Sequence, residues 1–226
     1  MRSEIQFAPA FALGIITLDP GEEIRAESGA MVSMSPNIAI ETKAQGGILG
    51  GLKRSMLGGE SFFINTFRAE GAAGEITVAP VLPGDIVHLQ LNAETIFVQS
   101  GSYMASSPGI EVDTKWGGAK TFFSSEGLFL LRCTGSGDLF LSSYGAIREV
   151  DLAAGQSLKL DTGHMVAFAE GVDYKVEKVG GWKSTMLSGE GLVVNLTGPG
   201  RLHTQTRTPS GLVAWLIPQL PTNSSS

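Results

Sequence analysis

Apolar and polar residues alternate along most of the chain in short runs that glycines separate. The runs "GEITVAP" at 74–80, "HLQLNAETIFVQS" at 88–100 and "YKVEKV" at 174–179 show this period of two. Such alternation turns one face of a β-strand toward the core and the other toward solvent. The pattern therefore predicts an all-β protein with many short strands.

Only one segment near the C-terminus has the pattern of a helix. It is predicted over 211–216, with Pro209 before it and Pro218 ending it. At the other end of the chain, the apolar run "FAPAFALGIITL" at 7–18 is predicted to be the first strand of the sheet and not a signal peptide.

A longer repeat is superimposed on the alternation. The segments "GGLKRSMLGGES" at 50–61, "GGAKTFFSSEG" at 117–127 and "GGWKSTMLSGEG" at 180–191 share glycines, a lysine and a glutamate, and an apolar run follows each of them. Similar turns and strands precede each segment, so the repeat predicts three tandem modules.

The predicted modules cover approximately residues 7–70, 71–132 and 133–210, in a pseudo-threefold arrangement. Each is expected to be a small β-sandwich or a short double-stranded β-helix. No linker separates them, so residues 1–217 are predicted to form a single compact unit, and residues 218–226 a flexible tail.

The third glycine-rich segment has the composition of a phosphate-binding loop but not its spacing. Such a loop requires Gly, four residues, and then Gly-Lys-Ser/Thr directly before a helix. Here Trp182 separates Gly181 from Lys183, and the residues after Glu190 are typical of a strand. The segment is therefore interpreted as a recurring turn and not as a nucleotide site.

A series of ordered motifs resembles a known family. The motifs "GEEIRAESGAMVSMS", "GSYMASSPGIEVDTKW" and "SGEGLVVNLTGPG" closely resemble the AIM24 family, and the resemblance runs from about Phe7 to Trp215. It implies a fold similar to that of the tryptophan RNA-binding attenuation protein, repeated three times in one chain. Eukaryotic relatives are mitochondrial and are linked to inner-membrane organisation. The resemblance brings no catalytic residue and no cofactor to this sequence.

The net charge and the cysteine content indicate which partners and which compartment the sequence favours. The formal net charge is −6 and the basic residues are dispersed, which disfavours a nucleic-acid partner. The single cysteine, Cys133, excludes an internal disulfide and fits a reducing compartment, so a cytoplasmic location is predicted. Its apolar surroundings in the sequence predict a buried structural thiol.

The candidate catalytic and metal-binding residues do not have the spacing that such sites require. His88, His164 and His203 occupy different positions in the repeats and form no His-x-His pair. No Gly-x-Ser-x-Gly motif marks a nucleophilic serine. No catalytic, metal or cofactor site is therefore predicted, and the sequence favours a binding protein over an enzyme.

The first glycine-rich segment, "AQGGILGGLKRSMLGGES" at 44–61, is the best candidate for a contact surface. It is longer than its two counterparts and combines apolar side chains with two cations, which predicts contact with a protein partner or a membrane surface. The alternative is packing on the neighbouring module. The predicted contact residues are Ile48, Leu49, Leu52, Lys53, Arg54, Met56 and Leu57. The charged residues at equivalent places of the repeat are Lys120, Lys183, Glu60, Glu126 and Glu190.

Together these patterns predict a non-enzymatic binding or scaffolding protein whose partner is a second copy of the chain, another protein or the surface of a membrane. The alternative is a small-ligand-binding protein or an enzyme that uses a pocket between modules. Convergent polar groups in one apolar cavity would favour that alternative.

Overall fold

A computed structural model describes residues 1–42, 63–114, 129–178 and 192–221. Within these ranges the chain forms antiparallel strands, β1 to β17, and one short α-helix, α1, near the C-terminus. The all-β prediction is confirmed.

The strands fall into three consecutive sets along the chain. The first set is β1 (Arg2–Gln6), β2 (Leu13–Leu18), β3 (Glu23–Glu27), β4 (Met31–Met34), β5 (Ile38–Thr42), β6 (Ile64–Ala69) and β7 (Gly74–Val78). The second set is β8 (Ile86–Gln99), β9 (Tyr103–Ser106), β10 (Ile110–Asp113) and β11 (Leu130–Ser142). The third set is β12 (Ile147–Leu152), β13 (Ser157–Asp161), β14 (Met165–Ala169), β15 (Asp173–Lys178), β16 (Leu192–Thr197) and β17 (Gly200–Gln205).

The three sets share a similar arrangement of antiparallel strand pairs. In the first set β2 and β4 pair with β7, while β3 and β5 pair with β6. In the second set the long strands β8 and β11 pair with each other, and β9 and β10 both pair with β11. In the third set β12 and β14 pair with β17, while β13 and β15 pair with β16.

The division into three modules stays a prediction. Their superposition and pseudo-threefold arrangement stay predictions, as do the module boundaries near residues 70 and 132. The strand pairings place the changes from one set to the next in residues 79–85 and 143–146.

Two strand pairs join the sets into a continuous sheet. Strand β9 of the second set pairs with β3 of the first, and β14 of the third set pairs with β8 of the second. The resulting ten-stranded sheet has the order β12-β17-β14-β8-β11-β9-β3-β6-β5, with β10 beside β11. Strands β1, β2, β7 and β4 form a second sheet, and β13, β16 and β15 form a third.

Three apolar clusters form the core, and each cluster combines side chains from neighbouring sets. The first cluster, around Ile24 and Phe67, also contains Phe140 of the second set. The third cluster, around Phe168, also contains Phe97 of the second set. Because each cluster crosses a boundary between sets, the sets stabilise one another by burial of apolar surface.

The C-terminal helix begins earlier than predicted. Helix α1 covers Pro209–Leu216, because Thr208 caps it: the Thr208 Oγ1 accepts a hydrogen bond from the Gly211 backbone N–H at 3.0 Å. Pro209 occupies the first turn, where its missing N–H costs nothing. A short 3-10 turn, Ile217–Gln219, follows and contains Pro218. The existence of a short C-terminal helix is confirmed.

The predicted first strand at 7–18 is wrong at its N-terminal half. Only Leu13–Leu18 is extended, and a separate strand, Arg2–Gln6, precedes it. Phe7 has a backbone φ of 59°, a left-handed conformation that interrupts a strand. The apolar run therefore spans a turn and a strand.

Candidate functional site

The predicted contact segment lies outside the described residues. This applies to Ile48, Leu49, Leu52, Lys53, Arg54, Met56 and Leu57, and also to Lys120, Lys183, Glu60, Glu126 and Glu190. The described strands on either side show where these segments are attached. Each segment joins the two strands of an antiparallel pair, namely β5 and β6, β10 and β11, and β15 and β16.

Strand β4 is the most exposed apolar strand in the described part of the chain. Met31 is 37% exposed, Val32 58% and Met34 38%. One edge of β4 pairs with β7, with Met34 opposite Ile76. Within the described part of the chain no strand pairs with its other edge, since β4 ends its sheet. Strand β4 therefore presents backbone hydrogen-bonding groups and apolar side chains together.

The strands that hold the same place in the other two sets are buried. Strand β9 lies between β11 and β3, and all of its residues are buried. Strand β14 lies between β17 and β8, and Met165 to Phe168 are buried within it. Among the described strands, the exposure of β4 therefore goes with the lack of a strand on its second edge and not with its position within its set.

An exposed apolar edge strand is unusual because it invites pairing with another chain. Proteins normally protect such edges with charged residues, proline or a covering segment. The sequence of β4, Met-Val-Ser-Met, contains neither a charge nor a proline. A partner could therefore add a strand here through main-chain hydrogen bonds.

A second edge of interest is β13 in the third set. It pairs with β16 and ends its sheet, so none of the described strands lies on its other side. Leu158 and Leu160 are half-buried and pack against the third core cluster. The corresponding strand of the first set, β3, has its apolar residues Ile24 and Ala26 fully buried. The apolar side chains of β13 are therefore less completely buried than those of β3.

The residues most similar to a catalytic arrangement lie on the surface around His88. The His88 Nε2 lies 2.7 Å from the Asp138 Oδ1, and the Nδ1 lies 3.4 Å from the Ser3 Oγ. The ring also stacks on Phe140, with ring centroids 4.5 Å apart. A nucleophilic serine needs a shorter contact to its base in addition to oxyanion donors. These contacts instead link β1 to β8 and β11.

The sequence analysis missed this cluster, because Ser3, His88 and Asp138 come from three distant segments. No local motif connects them. The pairing of β8 with β11 places His88 opposite Phe140, two residues from Asp138, whereas Ser3 comes from β1 in a different sheet.

His203 is the most deeply buried histidine and lies on β17, opposite Glu149 of β12. Its Nε2 is 3.4 Å from the Glu149 Oε2, but neither ring nitrogen makes a hydrogen bond of good geometry. Burial lowers the pKa of His203, and the nearby Glu149 carboxylate partly opposes this shift. Arg201 binds the same carboxylate at 3.2 Å.

The described residues form neither a metal site nor a reactive thiol. No group of three His, Cys, Asp or Glu side chains there could hold a metal ion. The third histidine, His164, contacts the Gln205 carbonyl oxygen through its Nδ1 at 2.7 Å. Cys133 is fully buried, as predicted, and burial raises the pKa of its thiol to about 12. At neutral pH this thiol is protonated and unreactive.

A family model described as "Mitochondrial biogenesis AIM24" matches residues 4–207. The chain belongs to this family. The AIM24 resemblance inferred from the sequence motifs is therefore confirmed.

Two relatives extend the match to nearly the full length of this AIM24 protein. An uncharacterised protein of Streptococcus pyogenes serotype M6 is 29% identical over 233 residues, covering 100% of this chain and 93% of the relative. The crystal structure of a Streptococcus pyogenes protein is 28% identical and superposes with a TM-score of 0.82. It covers 97% of this chain and 99% of that one. In the parts of the AIM24 chain that the structure describes, no helix has the length and apolar character to cross a membrane.

Proposed function

We propose that this AIM24 protein is a non-enzymatic binding or scaffolding component of the cytoplasm, and that a partner adds to the free edge of β4. The observation that carries this proposal is the exposure of Met31, Val32 and Met34 in a strand whose counterparts in the other two sets are buried. Exposed apolar surface of this kind marks interaction sites in folded proteins.

Two further apolar side chains of the first set are exposed at the strands that flank the first glycine-rich segment. Ile40, on β5, is 43% exposed, and Phe63, directly before β6, is 39% exposed. These two residues lie close to the two ends of the undescribed stretch 43–62. The apolar and basic residues predicted there are therefore joined to the first set through β5 and β6. We include them in the proposed contact surface, which would meet a protein or an anionic membrane surface.

The geometry around the histidines favours binding over catalysis. The contacts of His88 and Ser3 hold strands together, and His203 is buried against Glu149. Neither arrangement combines an accessible nucleophile with donors for a developing charge. A ligand-binding or enzymatic role would instead need convergent polar groups in a cavity.

The experiment places a photo-crosslinking amino acid at Val32 in the full chain, expressed in the cells from which the protein derives. Illumination is expected to give a covalent product with one partner, which mass spectrometry identifies. The matched control places the same group at Glu111, an exposed residue of β10. If position 32 gives no more product than position 111, the β4 edge is not a binding surface and the proposal is wrong.

A further inference from the structure

Helix α1 and the 3-10 turn after it are exposed along their whole length. Both elements lie within the described residues, and none of their side chains is buried. Val213 is 50% exposed, Trp215 65% and Ile217 61%. A short helix in a folded protein normally owes its stability to an apolar face that packs on the core. Since α1 buries no such face on the strands, its apolar side chains are available to a partner.

The apolar side chains of α1 surround its axis instead of forming one stripe. Successive residues of an α-helix are about 100° apart around the axis. The five consecutive residues from Leu212 to Leu216 are Leu-Val-Ala-Trp-Leu, and all of them are apolar. A groove on one side of such a helix would leave the apolar side chains of the other side in water. A helix of this kind needs surroundings that cover its whole circumference.

This end of the chain also lacks the charge of the rest. Residues 208–226 contain no Asp, Glu, Lys or Arg, although these four make up 17% of the sequence and the net charge is −6. The last charged residue is Arg207, which is exposed and lies directly before the cap residue of α1. The region that a partner would meet is therefore apolar and uncharged, with one cation at its base.

Backbone groups at both ends of α1 are satisfied within the chain. The Gly211 N–H donates to the Thr208 Oγ1 at 3.0 Å, and Pro209 has no N–H to satisfy. At the other end the Ile217 N–H donates to the Val213 carbonyl oxygen. An unsatisfied backbone group is costly in an apolar medium. These hydrogen bonds therefore suit a helix that is transferred out of water.

The base of α1 is fixed to the strands although the helix itself is not covered. The Thr206 N–H donates to the Ala146 carbonyl oxygen at 3.1 Å, and the Arg207 N–H donates to the Tyr144 carbonyl oxygen at 3.2 Å. Strand β17, which precedes α1, lies in the ten-stranded sheet, whereas β4 lies in the sheet of β1, β2 and β7. Helix α1 is thus attached to a different sheet from the β4 edge.

We propose that α1 docks the protein on the surface of a lipid bilayer, with Val213, Trp215 and Ile217 at the boundary between headgroups and acyl chains. Lipid surrounds an inserted helix on every side, as the apolar circumference of α1 requires, whereas a protein groove covers one side. The inference goes beyond the proposed function, because it needs neither the β4 edge nor the first glycine-rich segment.

The length of α1 and its aromatic residue determine how deep the contact lies. The eight residues of α1 rise about 12 Å at about 1.5 Å per residue, which is less than the hydrocarbon thickness of about 30 Å. The helix therefore enters one leaflet and does not cross. A tryptophan is favoured at the boundary, because its ring is apolar and its N–H is polar. Arg207, at the base, is then placed beside the lipid phosphates.

The test uses the full chain with Trp116→Phe and Trp182→Phe, which leaves Trp215 as its single tryptophan, and vesicles of phosphatidylcholine alone. Insertion is expected to shift the Trp215 emission to shorter wavelength, and lipids brominated on their acyl chains are expected to quench it. Because the contact is apolar, raising NaCl from about 0.05 M to about 0.5 M should change the partition coefficient by less than about twofold.

Two valines provide a matched pair of variants. Val213→Ser, in α1, is expected to lower co-sedimentation of the otherwise unaltered chain with these vesicles by about tenfold. Val81→Ser removes the same side chain from a site that is 84% exposed but lies outside α1, and it should leave co-sedimentation unchanged. Val32→Ser, on β4, should also leave it unchanged. All three melting temperatures should stay close to that of the unaltered chain, because the three side chains are exposed.

Four outcomes overturn the inference. These are vesicles that neither shift nor quench the Trp215 emission, binding that requires anionic lipid and is lost in salt, equal effects of Val213→Ser and Val81→Ser, and a sharply lower melting temperature for Val213→Ser. The second outcome would assign membrane contact to the basic first glycine-rich segment, and the fourth would show that α1 packs on its own chain. The photo-crosslinker at Val32 tests the proposed function separately, so either proposal can fail while the other stands.

Discussion

Strands β4 and β9 occupy corresponding places in successive strand sets, and their environments are opposite. Both pair with the last strand segment of their own set through the same shifted register. Every residue of β9 is buried and every residue of β4 is exposed. The difference arises on the second edge, where β3 covers β9 and no described strand covers β4.

This comparison shows that burial here depends on the neighbouring set more than on the strand itself. Met-Val-Ser-Met and Tyr-Met-Ala-Ser are both apolar and uncharged, so composition does not separate a core strand from a surface strand. A repeat architecture buries its interior units through their neighbours and leaves the end units incomplete. Paired substitutions at corresponding positions of β4 and β9 can therefore measure what a neighbouring strand contributes.

The largest expected effect comes from a charge at the centre of the two strands. Ala105→Glu places an unpaired carboxylate in a fully buried site, and we expect a loss of about 3–5 kcal/mol in the free energy of unfolding. Ser33→Glu, at the exposed counterpart, should change the monomer stability by no more than about 0.5 kcal/mol. Urea denaturation of both variants measures the difference. Equal losses would show that the β4 edge is already buried.

A second comparison concerns side-chain packing one residue further along. Phe168 lies between Phe97 and Tyr174, with ring centroids 5.3 and 5.2 Å away. We expect Phe168→Ala to lower the free energy of unfolding by about 3–5 kcal/mol. The corresponding Met34 is 38% exposed, so Met34→Ala should lower it by less than about 1 kcal/mol. Thermal and urea unfolding at low protein concentration provide the measurement. A larger loss for Met34 would contradict the assigned correspondence.

The next substitution tests whether the first glycine-rich segment belongs to the exposed end. Replacing Leu49 and Leu57 with serine is expected to reduce the mass measured by light scattering or the co-sedimentation with anionic liposomes, with little change in melting temperature. The matched control replaces Val81, an exposed residue outside this segment of the sequence, with serine. Unaltered mass and sedimentation together with a sharply lower melting temperature would show that the segment is only internal packing.

The smallest expected effect is a change in the pH dependence of stability caused by His203, the residue opposite Ala167. His203 occupies the place that Phe140 and Thr77 hold in the other sets, and burial lowers its pKa from 6.5. The unfolded chain therefore binds this proton at a higher pH than the folded chain does. The free energy of unfolding should then fall as the pH decreases below about 6.5. His203→Phe should weaken this dependence. Melting temperatures between pH 5 and 8 measure it, and identical pH profiles would show that His203 does not contribute.

The sequence was sufficient for those features that depend on local patterns. Alternation in "GEITVAP" and "YKVEKV" identified β7 and β15 because strand residues face opposite sides in turn. Pro209 and Pro218 located the short C-terminal helix, although the cap at Thr208 moved its start. The motifs identified the family because their order extends along the whole chain.

The strand pairs between sets were decided by the tertiary structure alone. The sequence placed β4 in a repeat without distinguishing it from β9, because a neighbour across an edge comes from a distant part of the chain. The pairings Ala26 with Ala105 and Val98 with Ala167 join residues far apart in sequence, as do the contacts of His203 with Glu149 and of His88 with Asp138. Local alternation determines which residues can form a strand, whereas burial and edge exposure depend on which strands meet after the whole chain has folded.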